Sequence, residues 1–172
     1  AERAIKARAG GFAVVMTVSA PADITDDLVN LSKLVTPEPE PREYDALLST
    51  GENISAALTA IAIRARGAKA ISLSGIQAGI RTGPRHGDAG ITAVNPARIL
   101  RELKQARIVV AAGFQGVNKA GDVTTLGRGG SDLTAVALAR ALKAELCELY
   151  TDVKGVYTAN PAVVPQAKMM RR

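Results

Sequence analysis

A glycine-rich string joins a short β-rich stretch to a long apolar run in this chain. Residues 124–134 read TTLGRGGSDLT, and the alanine-rich apolar run extends from Leu133 to Leu142. Closely spaced glycines let the backbone turn tightly and approach a ligand without a Cβ in the way. Ser131 and Asp132 come at the start of the apolar run, where the N-cap of a helix belongs. The sequence therefore predicts a strand, a tight glycine loop and a helix in direct succession.

This loop has the features of an anion site. A helix N-terminus offers N–H groups without intrahelical partners and the positive end of the helix dipole, and both suit a phosphate or a carboxylate. Arg128, inside the loop, adds a guanidinium that can bind a carboxylate through two hydrogen bonds. The spacing is not that of a GxGxxG dinucleotide loop, and no GxxxxGK[ST] loop occurs in the chain. A plain glycine-rich turn is the alternative that the loop alone leaves open.

Strand-like and helix-like segments alternate along nearly the whole chain. Short β-branched runs predict buried strands, and stretches of helical periodicity lie between them. Helices are predicted over 1–9, from the loop at 19–27 through about 35, over 42–66 with a break near 50–51, over 95–104 and over 133–143. Strands are predicted over 12–19, 68–73, 107–112, 123–125 and 146–151. The glycine-rich stretch 75–90 is predicted to be a long polar loop or hairpin. This alternation predicts an α/β fold with an open, mostly parallel sheet between helices.

Three loops are expected to meet the glycine loop. They follow Ser19, Gly113 and Thr151, each at the end of a predicted strand. Because ligands of open parallel sheets bind outside the carboxyl ends of the strands, these loops are predicted to converge on one crevice.

Glu52 is a carboxylate on an otherwise apolar helical stretch, next to the predicted break. It is either the start of a helix, where it complements the dipole, or a ligand group for a cation. Its position alone favours the helix-start interpretation.

Composition narrows the class of protein. Of 172 residues, 47% are hydrophobic and 3% aromatic, which indicates a globular domain with an aliphatic core. The single cysteine, Cys147, is predicted in a buried strand, and the single histidine, His86, in a surface loop. An intrachain disulfide and a Cys/His zinc site are therefore excluded, and a reducing compartment is indicated. With no predicted signal peptide or membrane span, we expect a cytoplasmic protein.

The net charge of +6 suits acidic ligands better than nucleic acid. The basic residues Arg98, Arg101, Lys104 and Arg107 fall on one side of a predicted helix and are interpreted as a solvated face. Nucleic-acid binding is disfavoured because aromatic side chains for base stacking are scarce.

Four segments in order resemble the signatures of one family. They are 48–52 (LSTGE), 112–116 (AGFQG), 124–132 (TTLGRGGSD) and 150–157 (YTDVKGVY). These segments closely resemble those of the aspartokinases, members of the amino-acid kinase superfamily, and the resemblance runs from about Phe12 to Met170.

The resemblance implies a three-layer α/β/α sandwich and ATP-dependent phosphorylation of the L-aspartate side-chain carboxylate to 4-phospho-L-aspartate, the entry step to lysine, threonine and methionine. By matching position, Glu52 would bind the substrate ammonium, Arg128 its α-carboxylate, and Asp132 would orient the reacting groups or a catalytic lysine. The other implied aspartate-site residues are Ser19, Thr25, Gly130 and Ser131, and the implied nucleotide-site residues are Thr151, Asp152 and Tyr157. The implied cofactors are ATP and Mg²⁺, the latter held mainly through the nucleotide phosphates. The resemblance also implies a homo-oligomer, commonly a dimer, or a partner for a regulatory subunit.

Several parts of the family pattern are expected outside residues 1–172. They are a first strand with a Lys-x-Gly-Gly loop, a C-terminal part with a nucleotide-contacting lysine, and regulatory ACT domains. Within the matched region, Ala162 stands where the family has an arginine and Lys154 where an acidic residue is usual. We therefore expect an incomplete kinase domain, truncated at both ends, with weak or no turnover by the chain alone.

Two other functions compete with this interpretation. An amino-acid kinase for another acid, such as acetylglutamate, is disfavoured because an N-acylated substrate has no ammonium to pair with Glu52. A non-catalytic subunit of the same fold is favoured by the expected truncation and by Ala162, but disfavoured by the Glu52 and Arg128 pair.

Overall fold

The computed structural model describes residues 1–21, 23–150, 155, 157–159, 163–164 and 166–170. The helices are α1 (Glu2–Ala9), α2 (Ile24–Val35), α3 (Pro41–Ala65), α4 (Ala97–Lys104) and α5 (Gly130–Leu142). The strands are β1 (Val15–Val18), β2 (Ala70–Leu73), β3 (Ile80–Thr82), β4 (Ile91–Val94), β5 (Ile108–Ala112), β6 (Gln115–Val117) and β7 (Val123–Thr125).

Strand β5 is the centre of the first sheet. Its five residues are all buried, and it pairs in parallel with β1 on one side and β2 on the other. Val109 lies opposite Val15 on one neighbour and Ile71 on the other. A parallel strand that is covered on both faces typically has a continuous apolar sequence, and β5 has the sequence IVVAA.

Alternate residues of β5 enter two different cores. Ile108, Val110 and Ala112 pack with residues of α1 and α3. Val109 and Ala111 pack on the opposite face, where Ile99 of α4 and Leu138 of α5 lie. Because successive strand side chains point to opposite faces, one strand builds both cores. The predicted three-layer α/β/α arrangement with a parallel sheet is thus confirmed.

A second sheet includes part of the stretch 75–90, which the sequence predicted to be a loop or hairpin. Its strand order is β4-β3-β6-β7, with antiparallel pairs at both ends and a parallel β3–β6 pair between them. Of the two alternatives predicted for 75–90, a polar loop or a hairpin, the hairpin fits Ile80–Thr82, which pairs antiparallel with β4 and whose residues alternate between buried and exposed. A Cβ on Gly79 would lie 2.0 Å from the Asn95 carbonyl oxygen, so the entry into β3 requires a glycine.

Helix α3 runs without interruption for 25 residues, so the predicted break at 50–51 was also wrong. Gly51 is buried in mid-helix, where an added Cβ would lie 3.0 Å from the Ala20 Cβ and 3.5 Å from the Ile24 Cγ2. A glycine inside a helix costs about 1 kcal/mol relative to alanine. Here close packing against the loop after β1 and against α2 accounts for it.

The buried residues of α3 form a stripe with helical spacing of three and four. Ala56, Ala60 and Ile63 make its C-terminal half, and Asp45, Ser49 and Glu52 make its N-terminal half. By length and composition α3 could cross a membrane. Its two buried acidic residues, Asp45 and Glu52, nevertheless hydrogen-bond to other parts of the same chain, which fits a core helix of a layered domain.

Two other local predictions were wrong. Residues 146–150, all of them described, form no strand, and Cys147 is exposed. Those residues pair with no strand of either described sheet, and a strand needs such a partner to form. The predicted solvated face was wrong in part: Arg101 and Lys104 are exposed, but Arg98 and Arg107 hydrogen-bond to the buried carboxylate of Glu102.

The stripe on α3 yields a stability prediction. Ile63 is fully buried, whereas Ile61 on the same helix is 61% exposed. We expect Ile63→Ala to lower the free energy of unfolding by about 2–5 kcal/mol, through lost burial and a cavity. Ile61→Ala is the matched control, with an expected change within about 0.5 kcal/mol. Urea unfolding of both variants measures this, and equal effects would contradict the packing described.

Candidate functional site

A cleft of about 270 Å³ opens where β1 and β5 end and the glycine loop begins. The residues that line it are Ser19, Thr25, Glu52, Phe114, Gly127, Arg128, Gly129, Gly130, Ser131 and Asp132. The loops after Ser19 and Gly113 therefore meet the glycine loop, as the sequence predicted. All seven predicted aspartate-site and catalytic residues lie on this cleft.

The glycine loop owes its shape to backbone conformations that other residues rarely adopt. Gly127 and Gly129 both have φ of +73°, and the Gly130 N–H donates to the Gly127 carbonyl at 3.1 Å. At Gly130 the reason is space, because an added Cβ would lie 2.8 Å from Phe114 Cδ2 and 2.9 Å from Leu126 Cβ. Gly130 thus packs closely against Phe114 and Leu126, and the three glycines border the cleft.

Helix α5 begins earlier than predicted. Its N-cap is Gly129, in the left-handed conformation and without a capping side chain. Ser131 and Asp132 therefore lie in the first turn, and the prediction that they cap the helix was wrong. The left-handed glycine starts the helix before either side chain can cap it. As a result both side chains face the cleft, beside the positive end of the helix dipole.

Phe114 and Thr134 also shape this part of the cleft, and the sequence did not reveal them. Phe114 has φ of +64°, and its N–H donates to the Thr134 Oγ1 at 3.2 Å. The Thr134 hydroxyl in turn donates to the Gly130 carbonyl at 2.8 Å. One buried hydroxyl thus connects the β5–β6 turn to the glycine loop. Gly113 makes this approach possible, since a Cβ there would lie 2.7 Å from the Ser131 Oγ.

Glu52 lies inside the cleft and not at a helix start. It is in mid-α3, only 5% exposed, and its Oε1 accepts a hydrogen bond from the Ala20 N–H at 3.1 Å. Burial raises the pKa of this carboxyl above its ordinary value, although the Ala20 bond acts in the opposite direction. The helix-start interpretation was wrong, and the alternative, a ligand group for a cation, fits the position.

The opposite charge is at the rim. Arg128 is exposed on the glycine loop, and the exposed side chains of Ser19, Thr25 and Asp132 surround the opening. A cleft with a buried anion and a solvent-facing guanidinium can hold a zwitterion, with its ammonium at Glu52 and its carboxylate at Arg128.

The segment predicted to contact a nucleotide is described only in part. Thr151 and Asp152, like Lys154 and Ala162, lie outside the described residues. Tyr157 is described and forms an isolated antiparallel bridge with Met169. The nucleotide-site prediction therefore stays a prediction.

Comparison with known proteins places this arrangement in a family. Residues 2–172 match the amino acid kinase family. The chain is 53% identical to an aspartokinase of Corynebacterium efficiens over 173 aligned residues, which is 100% of this chain and 41% of the relative. The chain therefore spans well under half the length of that relative.

Solved structures agree with this match. The crystal structure of aspartate kinase from Synechocystis superposes with a TM-score of 0.76 at 44% identity, covering 98% of this chain and 28% of that one. Aspartokinase III of E. coli, in complex with aspartate and ADP, superposes with a TM-score of 0.69 at 34% identity, covering 84% and 33%. The chain belongs to the amino acid kinase family, and the predicted fold class is confirmed.

The burial of Glu52 predicts a pH dependence of stability. A carboxyl whose folded pKa is raised favours folding when protonated, so its contribution is fully present below its ordinary pKa of 4.5 and is lost as the pH rises through the folded value. Glu52→Gln keeps the acceptor for the Ala20 N–H but does not titrate. We therefore expect the variant to gain stability relative to the native chain between about pH 4.5 and neutrality.

Urea unfolding of both chains at several pH values measures this difference, in which the other titrating groups cancel. A difference that stays constant with pH would show that Glu52 is not desolvated in the folded chain.

Proposed function

We propose that this chain contributes the L-aspartate site of an aspartate kinase, which transfers the γ-phosphoryl group of ATP to the side-chain carboxylate and forms 4-phospho-L-aspartate. The observation that carries the proposal is that buried Glu52 and Arg128, of opposite charge, line one cleft beside a helix N-terminus. The aspartokinases and aspartate kinases among its relatives support it. Such a reaction opens the routes to lysine, threonine and methionine.

Each side chain has a distinct role in this proposal. Glu52 pairs with the substrate ammonium, and Arg128 binds the α-carboxylate through two hydrogen bonds. Ser19, Thr25 and Ser131 line the pocket with hydroxyls, and Gly130 lets the substrate approach the backbone. Asp132, exposed in the first turn of α5, orients the reacting groups.

The chemistry demands little covalent help from the protein. An aspartate carboxylate is already a nucleophile at neutral pH, so one of its oxygens attacks the γ-phosphorus while the bond from that phosphorus to the β–γ bridging oxygen breaks and ADP leaves. Catalysis is then in-line positioning and stabilisation of the charge on the phosphoryl group. The N-terminus of α5 borders the cleft and is suited to that charge.

ATP and Mg²⁺ are part of the proposal. The E. coli aspartokinase III structure contains ADP, which supports nucleotide use by this family member. Thr151, Asp152 and Tyr157 are the proposed nucleotide contacts. Mg²⁺ commonly binds through substrate phosphates and few carboxylates, and we propose that the phosphates hold it here. When bound, it would neutralise phosphate charge.

We further propose that residues 1–172 are part of a kinase domain, consistent with the 41% share of the C. efficiens relative that they cover. A cytoplasmic location follows from the use of ATP and L-aspartate. Assembly as a homo-oligomer, or with a regulatory subunit, stays a prediction from the resemblance.

Calorimetric titration with L-aspartate tests the proposal. We expect the native chain to bind, and Arg128→Ala to weaken binding by about 10- to 100-fold, because a hydrogen bond to a charged group contributes about 1.5–3 kcal/mol. Arg140→Ala, which removes an exposed arginine at the other end of α5, is the matched control and should change the affinity less than about twofold.

N-acetyl-L-glutamate serves as the competing ligand, since it offers no ammonium to Glu52. Tighter binding of that acid than of L-aspartate would favour the other kinase class. Absence of L-aspartate binding by the folded native chain would refute the proposal.

A further inference from the structure

Asp45 is a buried carboxylate outside the substrate cleft. It lies seven residues before Glu52 on the same stripe of α3 and is 1% exposed. It borders a separate cleft of about 260 Å³, together with Ser32, Lys33 and Tyr44 among others. Because Asp45 does not line the substrate cleft, any effect on the substrate must pass through its neighbours.

Within the described residues, three groups donate hydrogen bonds to this carboxylate. Thr125 Oγ1 lies 2.6 Å from Oδ1, His86 Nδ1 lies 2.7 Å from Oδ2, and the Gly87 N–H lies 3.1 Å from both oxygens. A buried carboxylate is costly unless such donors surround it. The donors come from two segments far along the chain from α3, so Asp45 joins three parts of the structure.

Both segments support the glycine loop. Thr125 ends β7, two residues before Gly127. A Cβ on Gly127 would lie 3.4 Å from the Gly87 carbonyl and 3.3 Å from Asp88 Oδ1, so the β3–β4 loop lies directly against the glycine loop. The Ala89 N–H also donates to the Thr125 carbonyl at 2.8 Å. Asp45 therefore holds both the strand that leads into the glycine loop and the loop that packs against it.

We propose that Asp45 is a positioning residue that fixes the place of Arg128 relative to Glu52. This rests on the proposed function, in which those two residues bind the two charged ends of L-aspartate. Asp45 and Glu52 are two turns apart on one rigid helix, about 10 Å along its axis. Glu52 contributes the ammonium site directly, and Asp45 sets the carboxylate site through Thr125 and Gly87. Small displacements of such binding groups carry large losses of affinity or rate.

Substitutions at Thr125 test the connection without touching the cleft. Thr125→Val keeps the shape and removes the hydroxyl, whereas Thr125→Ser retains it. We expect Thr125→Val to raise the dissociation constant for L-aspartate about tenfold in calorimetry. Thr125→Ser should keep that constant within about twofold of the native value.

A second buried hydroxyl contact in the same sheet provides the matched control. Thr82 and Thr124 hydroxyls lie 2.5 Å apart, and Thr82 does not line the cleft. Thr82→Val is expected to lower stability in urea unfolding but to leave the affinity for L-aspartate unchanged. A merely structural role of Asp45 predicts the same result for Thr125→Val, and that result would overturn the proposal.

Amide hydrogen exchange supplies a readout that needs no ligand. We expect Thr125→Val to speed exchange in residues 126–130 at least about tenfold more than Thr82→Val does. Exchange that is no faster overturns the proposal on its own. If the native chain fails to bind L-aspartate, the proposed function fails, and exchange still decides whether Asp45 fixes the loop. Asp45→Asn, with the same expected direction, replaces Thr125→Val should that variant not fold.

Discussion

The site depends on the buried stripe of α3, which is acidic toward the N-terminus of the helix and apolar toward its C-terminus. Toward its C-terminus the stripe is apolar and packs against β5, with Ala56, Ala60 and Ile63 in the core. Toward its N-terminus it carries Asp45 and Glu52, which could not stay buried without donors. The need to satisfy those carboxylates attaches the loop after β1 and the end of β7 to the helix. The apolar half thereby anchors the helix, and the acidic half arranges the loops around the cleft.

The layered fold could be predicted from the sequence, but its second sheet could be predicted only in part. The central strand IVVAA and the helical stretches around it carry periodicities long enough to identify each element and its buried faces. Strands β3 and β6 have three residues each, too few for an alternating pattern to be distinguished from a loop, whereas the equally short β7 was among the predicted strands. Gly51 was expected to break the helix but lies inside it, because close packing against Ala20 outweighs the poor helix propensity of glycine.

The candidate site was predictable where its residues belong to segments that resemble the aspartokinase family. The glycine-rich string that contains Arg128 and Asp132 could be predicted to line a substrate site from its resemblance to the family. The structure brings it to one cleft with Ser19, Thr25 and Glu52. The supporting residues were not predictable, since Thr134, Phe114 and Asp45 act through partners 20 to 80 positions away. A lone buried threonine or aspartate has no local pattern that distinguishes it from an ordinary polar residue. Only the folded structure shows which hydrogen bonds these residues make.

The unequal exposure of the two charges bears on how a zwitterion would be selected. Arg128 faces solvent, where screening limits how much a charge contributes to affinity, so its contribution depends on two well-directed hydrogen bonds. Glu52 is desolvated, and an amine that replaces its lost water gains a partner in a less polar environment. A ligand without an ammonium would leave that carboxylate buried and unpaired, which is the costlier mismatch. In the proposed function, discrimination against N-acylated acids would therefore rest on Glu52, and the placement of the carboxylate end would rest on the glycine loop that we propose Asp45 to position.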